Sequence, residues 1–284
     1  FRPTLRDINY QRIEPIVQSH TSYMSILNFF EFLLNKLTAI TKYRFFSQIS
    51  LLLILLMALT LRLFRHWQEP MISRDAQLYL HQGTLWADGS FTVLAGSEAE
   101  WIPPLLPWSI GCGIRCGSSA YIAGIAINII AGVLLVLALF LFVREFCGNG
   151  LWGVLGALFG AIVPEFIQLS IEIQREMLYL LFFTLTLWLV TQALRRQRLR
   201  YWGAAGFLFF PTVLSRYEVL ELLVFIPLFL AYRFILDRKE QKNSLKALVY
   251  FVGGIIAGGI FFSLIIGIPP NYYWEILPGR LKGI

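Results

Sequence analysis

A chain of 284 residues in which 57% are hydrophobic and only 14% charged, with a mean hydropathy of +0.65, has more apolar surface than a soluble core consumes. That composition excludes a water-soluble domain and makes lipid the main solvent. The net charge of +7 would suggest nucleic acid in a soluble protein, but here Lys and Arg sit in short stretches between apolar runs, the pattern of topogenic charge.

Residues 1–44 are polar and basic, with one amphipathic piece, "ILNFFEFLLNKL" at 26–37, suited to a membrane surface. The first apolar run comes too late for a secretory signal. Spanning helices are expected at about 45–64, 119–143, 151–167 and 175–194, set against a hydrocarbon core of roughly 30 Å. A hairpin follows: "YWGAAGFLFFPTVL" at 201–214 is short for a crossing, "SRYE" turns, and "VLELLVFIPLFLAYRF" at 219–234 returns. A last helix is expected at about 247–268, before a tail with an interfacial aromatic cluster. The fold class is an all-α integral membrane bundle, polytopic, with about seven spans over residues 45–284. It reads as a piece of a longer protein.

Small residues recur about four apart in "GVLGALFGA" (153–161) and "GGIIAGG" (253–259), a spacing that lets helix backbones approach closely. The Lys/Arg-rich loops at 195–200 and 233–246, with the N-terminal segment, are assigned to the cytoplasm. The loop at 72–118, the turns at 168–175 and 215–218 and the C-terminal tail then share the opposite face. Cys112 and Cys116 lie in that first loop and would pair if it meets an oxidising compartment. Cys147 reads as an inert thiol.

The polar segment "ISRDAQLYLHQGTLWADGSF" at 72–91 reads as an interfacial helix. Ser73 is a good N-cap, and Asp75 sits in the first turn, where the helix dipole favours it. At 100° per residue Gln77, His81, Thr84 and Asp88 form one polar stripe, while Asp75 shares a face with Tyr79, Gln82 and Trp86. Asp75 is therefore expected to turn away from water, where a carboxylate needs a partner or a task. "EWIPPLLPWSI" at 100–110 reads as a loop, because proline pairs stop helices. In "PEFIQLSIEIQREMLY" at 164–179, Gln168, Glu172, Arg175 and Tyr179 fall on one helical face, with Glu176 at the mouth of a span. An ion pair between Glu172 and Arg175 is the plain structural alternative. Arg216 and Glu218 occupy the hairpin tip.

A surface carboxylate can act as general base on an incoming hydroxyl or amine, and arginines can stabilise a departing phosphate. Asp75 suits the first role. Arg74, Arg175 and Arg216 suit the second.

"ISRDAQLYLHQGTLWADGSF" with "PPLLPW", then "SIEIQREMLYLLFFTL", then "VLSRYEVLELL" resemble, in that order, the family-39 glycosyltransferases of the GT-C fold. Relatives in that fold are the protein O-mannosyltransferases and the lipid A aminoarabinose transferases. The resemblance covers roughly residues 45–270 and implies sugar transfer from a polyprenyl-phosphate donor to a lipid, glycan or protein acceptor. The expected setting is a bacterial inner membrane, with chemistry on the extracytoplasmic face and no nucleic acid. By resemblance Asp75 is the first-loop catalytic aspartate, Glu176 the second acidic position, and Arg216 with Glu218 the outer turn. Arg74, Tyr79, Glu172 and Arg175 join them as candidates for holding donor phosphate or substrate. Many members carry a second acid directly after the aspartate; here Ala76 stands there, which weakens the case for a metal on adjacent carboxylates. No cofactor is implied, and a divalent cation stays open. Two other classes compete. A secondary transporter needs ionisable groups at the midplane of a repeated, broken-helix fold, and no repeat is visible. A non-catalytic scaffold predicts that Asp75, Arg216 and Glu218 stand far apart.

Overall fold

The computed structural model describes residues 44–70, 72–89, 102–221 and 241–267, with the pairs 225–226, 228–229 and 231–232. The amphipathic piece expected at 26–37 and most of the hairpin's return limb lie outside the described residues. No strand occurs among the described residues.

The first helix, α1 (Arg44–Gln68), leaves Leu52, Leu53, Leu56, Leu63 and Phe64 exposed, a surface for lipid rather than water. It is followed by α2 (Arg74–Ala87), α3 (Leu105–Arg115), α4 (Ala120–Cys147), α5 (Gly150–Ile162) and α6 (Pro164–Ile171). Then come α7 (Glu176–Arg196), α8 (Leu199–Ser215), a 3₁₀ turn (Tyr217–Glu221) and α9 (Gln241–Ile266). Four of these segments, Phe46–Gln68, Ala120–Cys147, Glu176–Arg196 and Asn243–Ile266, are long and apolar enough to cross a membrane; α5 and α6, bent by 56°, make a fifth if they form one span. The chain is thus an all-α, multi-pass membrane protein. Seven spans are not reached among the described residues. The 17 residues of α8 cover only about 25 Å at 1.5 Å each.

Three expectations change. The loop at 72–118 contains two helices, not one. Pro104 is the N-cap of α3 and Pro107 its third residue, where the missing amide costs nothing because the first turn has no acceptor for it. The span expected at 151–167 breaks at Val163, where Pro164 cannot donate to the preceding turn. The last helix begins at Gln241, inside the stretch read as a charged loop.

α4 is the hub of one half, packed on α1, α3, α5, α6 and α7, and α8 is the hub of the other, between α7 and α9. Close approach occurs where the small residues predict it. A methyl on Gly206 would stand 2.0 Å from the Phe251 carbonyl oxygen, and one on Gly254 would stand 2.0 Å from that of Gly203. The backbones of α8 and α9 touch there, and nothing larger than glycine fits. α2 and α3 interlock in the same way. A methyl on Gly83 would meet Ile110 at 2.4 Å, and one on Gly111 would meet Trp86 at 2.8 Å. Arg115 then closes the far end, its Nε donating to the Ala87 carbonyl (3.1 Å) and its Nη2 to that of Trp86 (2.9 Å).

The helix ends sort by charge. At one end, Arg195 donates to the Phe146 carbonyl (2.9 Å) and Arg196 lies 3.3 Å from Glu145, with Arg198 and Arg200 following in sequence. Glu176 and the 3₁₀ turn sit at the other ends of α7 and α8. That separation puts Glu176 beside Arg216, and Arg216 beside Glu218.

Candidate functional site

α2 forms as its sequence demands. The Ser73 side chain accepts from the Ala76 amide at 3.1 Å, and Asp75 sits in the first turn. Gln77, His81, Thr84 and Asp88 are all exposed, whereas Tyr79, Gln82 and Trp86 are buried against the body. The polar stripe is where the periodicity places it. Asp75 differs from expectation: it is exposed, although it shares a helical face with the buried Tyr79, Gln82 and Trp86. Arg74 is also exposed and forms no ion pair among the described residues.

The face drawn through Gln168, Glu172, Arg175 and Tyr179 does not exist as one helix. α6 ends at Ile171 and α7 starts at Glu176, so residues 172–175 form a link. Gln168 still donates to the Glu172 carboxylate at 2.7 Å, because those two lie one turn apart at the end of α6. The backbone carbonyl of Glu172 takes a hydrogen bond from the Asn128 side chain of α4. Ile173 is fully buried and pins the link. No ion pair joins Glu172 and Arg175 among the described residues.

Arg175 instead joins a four-membered cluster with residues from the neighbouring turn. Its Nε lies 3.8 Å from Glu176 and its Nη2 3.6 Å from Glu218. Arg216 completes the ring, 3.9 Å from Glu176 and 3.5 Å from Glu218. The Arg216 guanidinium also lies 5.7 Å from the centroid of the Tyr179 ring, and Tyr179 stacks on Phe183 (5.6 Å, 10°). None of the four ion pairs is closer than 3.5 Å, so neither guanidinium is committed to a tight bidentate partner. Both keep donors for an incoming anion. At 36% to 41% side-chain exposure, Arg216 and Glu218 are the open edge of the ring. Charge within it balances, two against two. This donor set does not suit a divalent cation, which would have to pull both carboxylates from arginines, and no group of three His, Cys, Asp or Glu residues among those described converges to hold a metal ion.

Tyr79 links α2 to this ring. Burial pushes its phenol up to about 12; the charges of Arg175, Glu176, Asp75 and Arg216 all act on it as well. One buried hydroxyl therefore senses the α2 aspartate and three members of the cluster. It stays protonated at any physiological pH and offers a hydrogen-bond donor. A folded-state pKa above the unfolded value of about 10 contributes stability in full below pH 10, and that contribution is lost as pH rises to about 12. Tyr79→Phe should therefore flatten the fall in melting temperature over that window relative to wild type, measured by thermal unfolding in detergent.

Sequence reading missed Tyr179 as the platform for Arg216; its position one turn after Arg175 was the available signal. Cys112 and Cys116 are unpaired, in α3 and at its C-cap, and burial pushes the Cys112 thiol up.

A family profile described as dolichyl-phosphate-mannose-protein mannosyltransferase matches residues 102–266, more than half of the chain. The chain belongs to that family. Membership in the mannosyltransferase family makes it a membrane glycosyltransferase that draws on a polyprenyl-phosphate sugar. The match contains Glu172, Arg175, Glu176, Arg216 and Glu218; Arg74, Asp75 and Tyr79 precede it. A comparison with curated proteins returns no match.

Proposed function

We propose that this mannosyltransferase-family protein transfers a sugar from a polyprenyl-phosphate carrier to an acceptor on the extracytoplasmic side, with Asp75 as general base. One observation carries the reading: the head of α7 and the turn after α8, some forty residues apart in sequence, join Arg175, Glu176, Arg216 and Glu218 in ion pairs of 3.5 to 3.9 Å. The scaffold alternative expects Asp75, Arg216 and Glu218 to stand far apart; Arg216 and Glu218 lie 3.5 Å apart.

In the transfer step the acceptor oxygen attacks the anomeric carbon of the sugar. The bond from that carbon to the phosphate oxygen breaks, and polyprenyl phosphate departs with the electron pair. The acceptor proton passes to the Asp75 carboxylate. Arg175 and Arg216 stabilise the charge growing on the departing phosphate, displacing Glu218 at the open edge of the ring. Glu176 holds the two arginines in register, and Glu172 fixes the link between α6 and α7. Exposure suits Asp75 to this role, because the acceptor arrives from the aqueous side while the carrier's tail stays in lipid. Arg74, exposed on the same turn, supplies a further positive charge at the entrance.

Transfer is tested with purified protein in liposomes, supplied with labelled polyprenyl-phosphate mannose and membrane acceptors. Label should leave the carrier only in the presence of protein, and polyprenyl phosphate should accumulate. Sidedness is tested separately on native thiols, since Cys116 and Cys147 are both exposed and lie near opposite ends of α4. A membrane-impermeant maleimide should label Cys116 in intact cells and Cys147 only after permeabilisation. The reverse pattern would overturn the extracytoplasmic assignment.

A further inference from the structure

The apolar run of α1 contains one side chain that a membrane span should not carry without reason. Arg62 is fully buried, with no exposed surface, and no carboxylate lies within ion-pair distance of it among the described residues. A buried cation is costly unless its donors are satisfied. All three arms of this guanidinium are engaged by neutral oxygens. Nε donates to the Ser170 hydroxyl of α6 at 2.9 Å, Nη1 to the Ala58 carbonyl of α1 at 3.0 Å, and Nη2 to the Gly160 carbonyl of α5 at 3.1 Å.

The Gly160 carbonyl is the informative partner. In an unbroken helix it would accept from the amide of residue 164, four positions on. Residue 164 is proline and has no amide hydrogen. The break between α5 and α6 therefore leaves a carbonyl orphaned inside the bundle, and Arg62 fills the vacancy from a neighbouring helix. The positive charge also sits at the C-terminal end of α5, where the helix dipole favours it. Ser170 relays the contact into α6, because its hydroxyl accepts from Arg62 and donates to the Phe166 carbonyl. α4 makes room. A methyl on Gly132 would stand 2.2 Å from the Ser170 oxygen and 2.7 Å from Arg62 Nε.

We propose that Arg62 is a positioning residue for sugar transfer: it caps the Gly160 carbonyl that Pro164 orphans, grips Ser170, and so holds the 56° break at the angle that delivers Glu172 and Arg175 to the site. α6 is only eight residues long. An error of orientation at its start is carried directly to Glu172 at its end, and three residues later to Arg175. Arg62 touches no substrate; it acts through α6.

A double-mutant cycle separates this role from general stabilisation. Arg62→Met should lower the melting temperature of the purified protein in detergent. In a Pro164→Ala background, where residue 164 regains its amide, the same substitution should cost less than half as much. Activity should behave otherwise. Arg62→Met should lower kcat by roughly 10- to 100-fold with KM within about twofold, as displaced reacting groups do, and the double variant should regain melting temperature without regaining kcat. Additive melting shifts would overturn the capping assignment. Recovery of kcat together with stability, or wild-type kcat in folded Arg62→Met, would overturn the positioning role. Should Arg62→Met fail to fold, Arg62→Lys in the same cycle and Ser170→Ala, which keeps the cap and loses the grip, carry both measurements. The kcat arm, assayed with polyprenyl-phosphate mannose, rests on the function proposed above. The melting cycle does not, so its failure is distinguishable from failure of that reading.

Discussion

Replacement of Asp75 by Asn should reduce sugar transfer by roughly 10²- to 10⁴-fold, the contribution of a well-placed general base, while membrane insertion and melting temperature stay at wild-type values. The geometry supports the separation. Asp75 is exposed, so its carboxylate neutralises no buried cation whose loss would unfold the protein. α2 is capped by Ser73 and packed through Tyr79, Gln82 and Trp86, and the exposed Asp75 side chain is not among the buried groups. Asparagine keeps the shape and much of the hydrogen bonding but cannot take a proton. Transfer is to be measured as label leaving polyprenyl-phosphate mannose in liposomes, beside thermal unfolding of the same preparation. Near-wild-type turnover in a folded variant would remove Asp75 from the mechanism.

Arg216→Met should cost roughly 10²- to 10³-fold in turnover, the usual loss when one donor to a developing anion is deleted. Stability should change by less than about 1 kcal/mol, because partly exposed ion pairs at such separations contribute little. Arg216→Lys distinguishes charge from geometry. A lysine restores the positive charge but not the planar fork, nor the same stacking over the Tyr179 ring. Partial recovery is therefore expected, well short of wild type. If Arg216→Met lowered the melting point sharply and left turnover of the surviving protein intact, the ring would be a structural clamp rather than a phosphate site.

Much of the architecture was legible because lipid leaves few options. Apolar runs of the right length become helices, and their ends were located to within about four residues, except the start of α9, which lies six residues earlier than expected. Ser73 as a cap and the Gln77–His81–Thr84–Asp88 stripe followed from local chemistry alone. The glycines of 253–259 were legible as a close-approach surface, though not as the partner of α8 in particular. Breaks were harder to see. Pro164 inside an apolar run was absorbed into a straight span, and the stretch at 100–110 was read as a loop for its proline pair although Pro104 caps α3 and Pro107 sits harmlessly in its first turn. The site was legible residue by residue but not as a ring. Arg175 was aligned with Glu172 on an imagined continuous helix, whereas its partners are Glu176 next to it and Glu218 some forty residues away. Arg62 carried a signal that went unused, a lone charge within a span, because its partners are backbone and hydroxyl oxygens that no charge pattern reveals.

The interlocked α2–α3 pair has a mechanical consequence. Glycine-tight contacts along the seam and the Arg115 tie at its end oppose sliding and separation of the two helices and favour their moving as one piece. Asp75 lies at the tip farthest from Arg115, and α2 is about 20 Å long. A tilt of about 10° about the tied end would sweep the carboxylate through about 3–4 Å by the same rise per residue, roughly one hydrogen-bond length. On the function proposed above, such a tilt would change the distance from the Asp75 carboxylate to an acceptor hydroxyl by about that length, and acceptor access and base placement would be coupled.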